Sequence, residues 1–136
     1  MTRRFANFVD RSLCGILRDR PRSYRHFCGD MAGLAIAFEV SGERVALSFN
    51  HAGHLMHEAC AAPQARVIAT HEAIIALARG DVDLITSLMV EHLALFGSTA
   101  SLCRFHEALL RFVNLMLKSP SAQREFSEYQ RPLGST

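Results

Sequence analysis

Histidines are the side chains in this sequence best suited to chemistry, and several are close together in one short segment. The run HAGHLMHE places His51, His54 and His57 at intervals of three residues, with Glu58 directly after them. A zinc ion needs three or four ligands that converge on one point. Gly53 favours a strand in this segment, and on a strand His54 points away from His51 and His57. We therefore expect no bound metal here, and we predict that these histidines pair with nearby carboxylates or lie at an exposed rim.

The other reactive side chains form no recognisable catalytic pattern. His106 and Glu107 are adjacent on a predicted helix, where neighbouring positions point apart. The sequence has no GxSxG, HExxH or phosphate-binding glycine loop. Its four cysteines are scattered without a CxxC pair, which is typical of reduced thiols in a cytosolic protein. We therefore assign no catalytic residue, no metal and no cofactor, and we expect a non-enzymatic protein of the cytoplasm.

Two alternating apolar runs predict the first part of a sheet. Large apolar residues occupy every second position from Leu34 to Val40 and again from Val45 to Phe49, with a glycine turn between the runs. This pattern is typical of a β-hairpin. One face of the hairpin carries the large side chains and the other carries Ala and Ser. A third, irregular strand is predicted within 51–60 and a fourth over 65–70.

Capping residues and glycines predict the elements that follow. Thr70 can cap a helix over 71–80 that ends at Gly80, and Asp81 or Asp83 can cap a second short helix over 81–91. A fifth strand over 92–97 ends in glycine. Ser98 or Thr99 can cap a long helix with a broad apolar stripe over 98–119, which Pro120 ends.

The N-terminal segment carries most of the positive charge. Residues 1–25 hold seven arginines and two aspartates, a net charge of +5, whereas the remainder of the chain carries −3. Apolar residues at spacings of three and four predict an amphipathic helix in this segment. Such a face can contact anionic headgroups or an acidic enzyme, or can simply be solvated. The segment matches no nucleic-acid reader, so no nucleic acid is expected as a partner. We divide the chain into an Arg-rich helical segment (1–30), a main domain (31–119) and a flexible C-terminal tail (120–136).

The order of these elements resembles the sterol carrier protein type 2 family. The similarity covers about Met31 to Leu117 and is most evident in ARVIATHEAIIALARGDVDLITSLMVEHLALFGS, where Leu77 to Gly80 resembles the family's helix stop and Gly97 its strand end. The resemblance implies an α+β fold, with a five-stranded, mostly antiparallel sheet covered on one side by helices. It also implies an apolar tunnel for sterols, fatty acyl chains or related lipids between the two layers. A bacterial branch resembles accessory factors of ubiquinone biosynthesis that hold isoprenoid quinone intermediates.

An apolar tunnel binds its ligand without a polar motif. Each buried CH₂ group contributes about 0.8 kcal/mol, so a chain of about ten carbons can reach micromolar affinity. We expect the tunnel to lie between the sheet and the helices of 71–91 and 99–117. The predicted ligand-binding residues are large apolar side chains on these elements: Phe38, Phe49, Leu88, Met89, Phe96, Phe105, Leu109, Phe112, Val113 and Met116.

Two alternatives follow from the same sequence. Seven histidines in 136 residues leave open an enzyme that acts on a hydrophobic substrate in the same pocket. In that case a histidine, one of His51, His54, His57, His92 or His106, would be the acid–base and would face the pocket. The 49% apolar content also leaves open a dimeric interaction module, whose surplus apolar surface would be an interface.

Overall fold

The structure is a computed structural model that describes residues 3–59, 62–81, 83, 84, 86 and 93–131. Two helices come first, α1 (Arg4–Asp19) and α2 (Pro21–Asp30). Four strands follow, β1 (Ala35–Val40), β2 (Glu43–Asn50), β3 (Gly53–His57) and β4 (Ala65–Ala69). The chain continues through α3 (His71–Arg79), β5 (Leu93–Gly97), α4 (Thr99–Leu117) and α5 (Pro120–Gln130).

The five strands form one sheet in the order β3-β2-β1-β4-β5. All neighbouring pairs are antiparallel except β1 and β4, which run parallel. The hairpin predicted from the alternating runs is β1–β2, with Phe38 opposite Val45. Ser41 and Gly42 both have positive φ angles in its turn, a conformation that glycine adopts without a steric penalty. The α+β fold with a mostly antiparallel sheet is thus confirmed.

In the described ranges of the chain, the helices cover one face of the sheet. The covered face carries Ile36, Val40, Leu47 and Val67, which are buried. The opposite face carries the smaller or polar partners of the alternation, such as Ala37 and Ser48. No helix in the described part of the chain is both long enough and apolar enough to cross a membrane.

Local capping signals placed α3 and α4 correctly. The Thr70 side chain accepts a hydrogen bond from the N–H of Ala73, and Gly80 follows the last residue of α3. The Ser98 side chain accepts from the N–H of Ser101 at the start of α4. The short helix predicted over 81–91 lies mostly outside the described residues, although Asp83 accepts the N–H of Thr86 at 2.7 Å in the predicted capping arrangement.

Residues Pro120–Gln130 form helix α5, whereas the sequence predicts a flexible tail from 120 to 136, of which 132–136 lie outside the described residues. Helix α5 packs along α1, and its buried side chains are Ala122 and Tyr129. The Tyr129 ring stacks on Phe8 with 4.4 Å between centroids. Gly15 of α1 allows the close approach, because a Cβ atom at this position would lie 2.8 Å from Ser121 Cβ.

Candidate functional site

An apolar cavity lies between the helices and the covered face of the sheet. Its volume is about 80 Å³, and every residue that lines it is apolar. The wall combines side chains from α1, α2, α3, α4 and four strands of the sheet. The residues that line it are Phe5, Phe8, Val9, Leu13, Phe27, Ile36, Phe38, Leu47, Phe49, Val67, Ile74, Leu77, Ala78, Leu93, Phe105, Ala108, Leu109, Phe112 and Val113.

Aromatic side chains from different elements meet in this wall. Phe38 of β1 lies between Phe5 and Phe105, with ring centroids 5.0 and 6.3 Å apart. Phe8 and Phe112 meet edge to face at 6.2 Å. Such tilted and edge-to-face pairs are the arrangements that aromatic rings favour. The wall is therefore built from large side chains that join α1, the sheet and α4.

Six of the predicted ligand-binding residues line this cavity. They come from β1, β2 and α4: Phe38, Phe49, Phe105, Leu109, Phe112 and Val113. Met116 is fully buried in the core but is not part of the cavity wall. Leu88 and Met89 lie outside the described residues.

Phe96 does not face the cavity. Its side chain is 50% exposed, and its ring lies 5.9 Å below the Arg66 guanidinium on the opposite face of the sheet. Leu93 of the same strand is buried and lines the cavity instead. Because strand residues alternate between faces, Leu93 and Phe96 cannot point the same way. The sequence prediction was wrong at this position.

Sequence reasoning also missed the contribution of α1. Phe5, Phe8, Val9 and Leu13 all line the cavity, although the sequence predicts residues 1–30 as a separate segment. The three-and-four spacing of these residues was visible in the sequence and predicted an apolar face. What the spacing could not show is the surface that this face packs against.

The α1 helix is held on the sheet by a carboxylate. No side chain of its own caps its N-terminus, and its first turn has no acidic residue. Instead, buried Glu43 at the start of β2 accepts the N–H of Phe5 at 2.9 Å and the N–H of Ala6 at 2.7 Å. The carboxylate thus accepts two N–H groups that have no partner within the helix, and its negative charge is stabilised by the positive end of the helix dipole.

The cavity is smaller than a ligand pocket. Pockets for small molecules usually have about 300–1,000 Å³, and an apolar cavity of about 150 Å³ holds one benzene molecule. A lipid would therefore have to displace the walls of the 80 Å³ cavity. Most of the half-buried residues that line the cavity are on helices: Ile74 is on α3, and Leu109, Phe112 and Val113 are on α4. These two helices form the side on which the cavity wall meets solvent.

None of the described histidines lines the cavity. His51 and His57 are exposed, and His57 is 3.0 Å from the Ser48 hydroxyl on the uncovered face of the sheet. His71 is buried at the start of α3, where Nδ1 lies 2.7 Å from the Tyr129 hydroxyl. Burial lowers the pKa of His71, and the nearby Arg4 charge adds to the effect. His92 lies outside the described residues.

His54 is the centre of a polar network at the edge of the sheet. Its Nε2 atom lies 2.8 Å from Asp10 Oδ1 of α1, and its Nδ1 atom lies 2.7 Å from the Tyr24 hydroxyl of α2. Burial raises the pKa of Tyr24 to about 12, so this phenol keeps its proton at neutral pH. One possible ligand atom each from Asp10, Cys14 and His54 lies within 4.8 Å of the other two. Among the described residues, Asp10, Cys14 and His54 form the group that could hold a metal ion.

Comparisons by sequence find no relative of this chain: no protein-family model and no curated protein matches it. Solved structures do match in fold. One described as "UbiJ-SCP2 Ubiquinone synthesis protein" has a TM-score of 0.58 at 17% identity, covering 79% of this chain and 96% of that one. Sterol Carrier Protein 2 from Yarrowia lipolytica has a TM-score of 0.54 at 12% identity, covering 76% of this chain and 88% of that one.

A third similar structure is Sterol Carrier Protein 2 Like 2 from Aedes aegypti. Its TM-score is 0.53 at 13% identity, and the match covers 76% of this chain and 94% of that one. Identities this low establish the fold and not the ligand. The chain has the sterol carrier protein type 2 fold.

Proposed function

We propose that this protein is a non-enzymatic carrier that binds a hydrophobic ligand in its apolar cavity. The observation that carries the proposal is the cavity wall, which joins four helices and the sheet without one polar side chain. A wall of this kind excludes charged substrates, since a buried polar group without a partner costs several kcal/mol. The ligand classes whose chemistry matches this wall are sterols, fatty acyl chains and isoprenoid quinones.

Ligand entry would separate α3 and α4 from the sheet. The α1 side of the wall is fully buried and fixed by Glu43, whereas Leu109, Phe112 and Val113 of α4 are only half-buried. Burying about ten CH₂ groups of a ligand would contribute roughly 8 kcal/mol, which is enough to offset a modest rearrangement of side chains. Flexible apolar walls of this kind discriminate weakly between chains of similar girth.

A role as an accessory factor in lipid or quinone biosynthesis fits the same site. The fold is shared with a structure described as a ubiquinone synthesis protein, and the all-apolar wall would suit a prenylated ring once α3 and α4 move apart from the sheet. Arg11, Arg18, Arg22 and Arg25 are exposed on α1 and α2. These arginines would bring the carrier into transient contact with an anionic membrane surface or an acidic biosynthetic enzyme.

Two double variants of α4 test the assigned wall. Leu109→Asp with Phe112→Asp places two carboxylates in the cavity wall, and we expect it to lower affinity for a fluorescent fatty acid at least 100-fold. The matched control is Leu110→Asp with Leu117→Asp, which changes side chains of the same helix that are 59% and 61% exposed. The control should bind like the wild type. Unchanged affinity in a folded Leu109/Phe112 variant would reject this wall.

Mass spectrometry of organic extracts from the freshly purified protein would identify the ligand class. A copurified quinone, sterol or fatty acid at near-stoichiometric amount supports the carrier proposal. Light scattering at several concentrations separates it from the dimer alternative, because a concentration-dependent dimer without bound lipid would favour an interaction module.

A further inference from the structure

A cluster of three metal-ligand side chains lies beside the cavity, where α1 crosses the edge strand β3. Asp10 and Cys14 are four residues apart and therefore share one face of α1. His54 of β3 faces them, since it lies opposite Phe49 on the covered face of the sheet. A carboxylate, a thiol and an imidazole from two elements thus converge, which no spacing in the sequence indicates.

The separations suit a tetrahedral metal ion. Zn–N and Zn–O bonds of about 2.0 Å and a Zn–S bond of about 2.3 Å place tetrahedral ligand atoms roughly 3.3–3.6 Å apart. One ligand atom from each of Asp10, Cys14 and His54 lies within 4.8 Å of the others, and the His54–Asp10 contact is 2.8 Å. To surround one ion, the His54 and Asp10 atoms would move apart by less than about 1 Å, and separations of up to 4.8 Å would close by roughly 1–1.5 Å.

The imidazole is already oriented for this role. His54 has only 7% of its side chain exposed, and the Tyr24 hydroxyl holds its Nδ1 atom at 2.7 Å. The same hydroxyl accepts the backbone N–H of His54 at 3.0 Å. Gly53 makes this contact possible, because a Cβ atom there would lie 2.7 Å from the hydroxyl oxygen. Metal-binding histidines usually have such a partner on the second ring nitrogen, which leaves the first free for the ion.

The geometry does not suit a cysteine nucleophile. In a Cys–His–Asp arrangement the imidazole bridges the thiol and the carboxylate through its two different nitrogens. Here Asp10 lies at Nε2 and Tyr24 occupies Nδ1, so no ring nitrogen is left for Cys14. In a metal site, by contrast, the carboxylate and the thiolate both bind the ion, and the ion is bound by a single nitrogen of the ring.

From this convergence we propose that Asp10, Cys14 and His54 form a binding site for a divalent transition-metal ion of the Zn²⁺ type. One carboxylate and one thiolate balance the charge of the ion, and binding transfers the Cys14 thiol proton to solvent. The mixed N, O and S ligands favour Zn²⁺ or Co²⁺ over Mg²⁺ and Ca²⁺. Three protein ligands leave a fourth position for water or for an oxygen atom of another molecule.

The ion would fix one wall of the cavity. Val9 and Leu13 of α1 line the cavity, and each directly precedes a proposed ligand in the sequence. A bond network from α1 through the ion to β3 would therefore hold these side chains against the sheet. This role does not depend on the identity of the ligand that the cavity binds, nor on whether it binds one.

Cobalt titration of the full, reduced chain tests the site without any lipid. We expect saturable binding of one Co²⁺ with visible d–d absorption and a near-ultraviolet thiolate-to-cobalt band, and competition by Zn²⁺. Cys14→Ser should abolish the thiolate band, and Asp10→Asn should weaken binding at least tenfold. Tyr24→Phe should weaken it about 10–100-fold through the loss of the His54 partner.

The matched control is Cys103→Ser, which changes an exposed thiol on α4 and should leave the spectrum unchanged. Cys14 is also exposed, so its replacement by serine should preserve the fold, which circular dichroism verifies. A wild-type protein without a thiolate band overturns the proposal. So does a band that survives in Cys14→Ser or disappears in Cys103→Ser.

Discussion

Replacing Glu43 tests how the cavity wall is held together. This carboxylate is only 8% exposed, and it is the acceptor for the N–H groups of Phe5 and Ala6 at 2.9 and 2.7 Å. A hydrogen bond to a charged group contributes about 1.5–3 kcal/mol, and removal of the acceptor leaves two donors at the helix end without a partner. We expect Glu43→Ala to lower the free energy of unfolding by about 3 kcal/mol, the lower end of the range for two such bonds.

Glu43→Gln separates the charge from the hydrogen bonds. The amide keeps one acceptor oxygen but has no charge to interact with the helix dipole, which is worth about 0.3–2 kcal/mol. We expect Glu43→Gln to lower the free energy of unfolding by about 1.5 kcal/mol, half the effect of Glu43→Ala. A loss of 3 kcal/mol in a chain of this size corresponds to a melting temperature roughly 10 °C lower.

The assay is urea unfolding followed by circular dichroism, with Glu39→Ala as the matched control. Glu39 lies on the other strand of the same hairpin and pairs with exposed Arg44 at 3.3 Å. Exposed ion pairs contribute about 0–1 kcal/mol, so the control should change little. If Glu43→Ala loses no more stability than Glu39→Ala, the proposed anchoring of α1 is wrong.

Two further predictions concern helix packing and pH. Gly15→Ala should lower the free energy of unfolding by about 1–2 kcal/mol, because its Cβ atom would lie 2.8 Å from Ser121 Cβ. Gly29→Ala in α2 is the control and should not lower it, since the nearest atom to its Cβ would be 3.6 Å away. Equal urea midpoints for the two variants would contradict this prediction. Burial lowers the pKa of His71 below its usual 6.5, so the unfolded chain takes up a proton first as the pH falls. Stability should therefore decrease between pH 6.5 and the lower folded-state pKa, and His71→Gln should show a smaller decrease when melting is measured at pH 7.5 and pH 5.5.

Local patterns determined most of the elements and much of the candidate wall. The alternation in β1 and β2 fixed which side chains share a face, because the period of a strand is two. Thr70 and Ser98 signalled the starts of α3 and α4 through hydrogen bonds within one turn. The apolar stripe of α4 could therefore be placed against the sheet from sequence alone, and four of the residues predicted on it, Phe105, Leu109, Phe112 and Val113, line the cavity.

Phe96 shows where a local pattern was read incorrectly. Phe96 is a large apolar residue, yet Leu93 and Leu95 share the alternate face of β5, and Leu93 lines the cavity. Period two groups residues into two faces but does not state which face is covered. Only pairing with β4, which sets Val67 opposite Leu95, settles the direction.

Contacts between distant residues were decided by the tertiary structure. The polar segment after Pro120 has few apolar residues of its own, and it is helical where Ala122 and Tyr129 pack on α1. The cap of α1 comes from Glu43, and the cluster of Asp10, Cys14 and His54 joins side chains up to 44 residues apart. Sequence by itself determined most of the elements before Pro120, since their periods and caps act within a few residues. The closed wall and the polar cluster required the packed fold, because their partners meet only when α1 lies across the sheet.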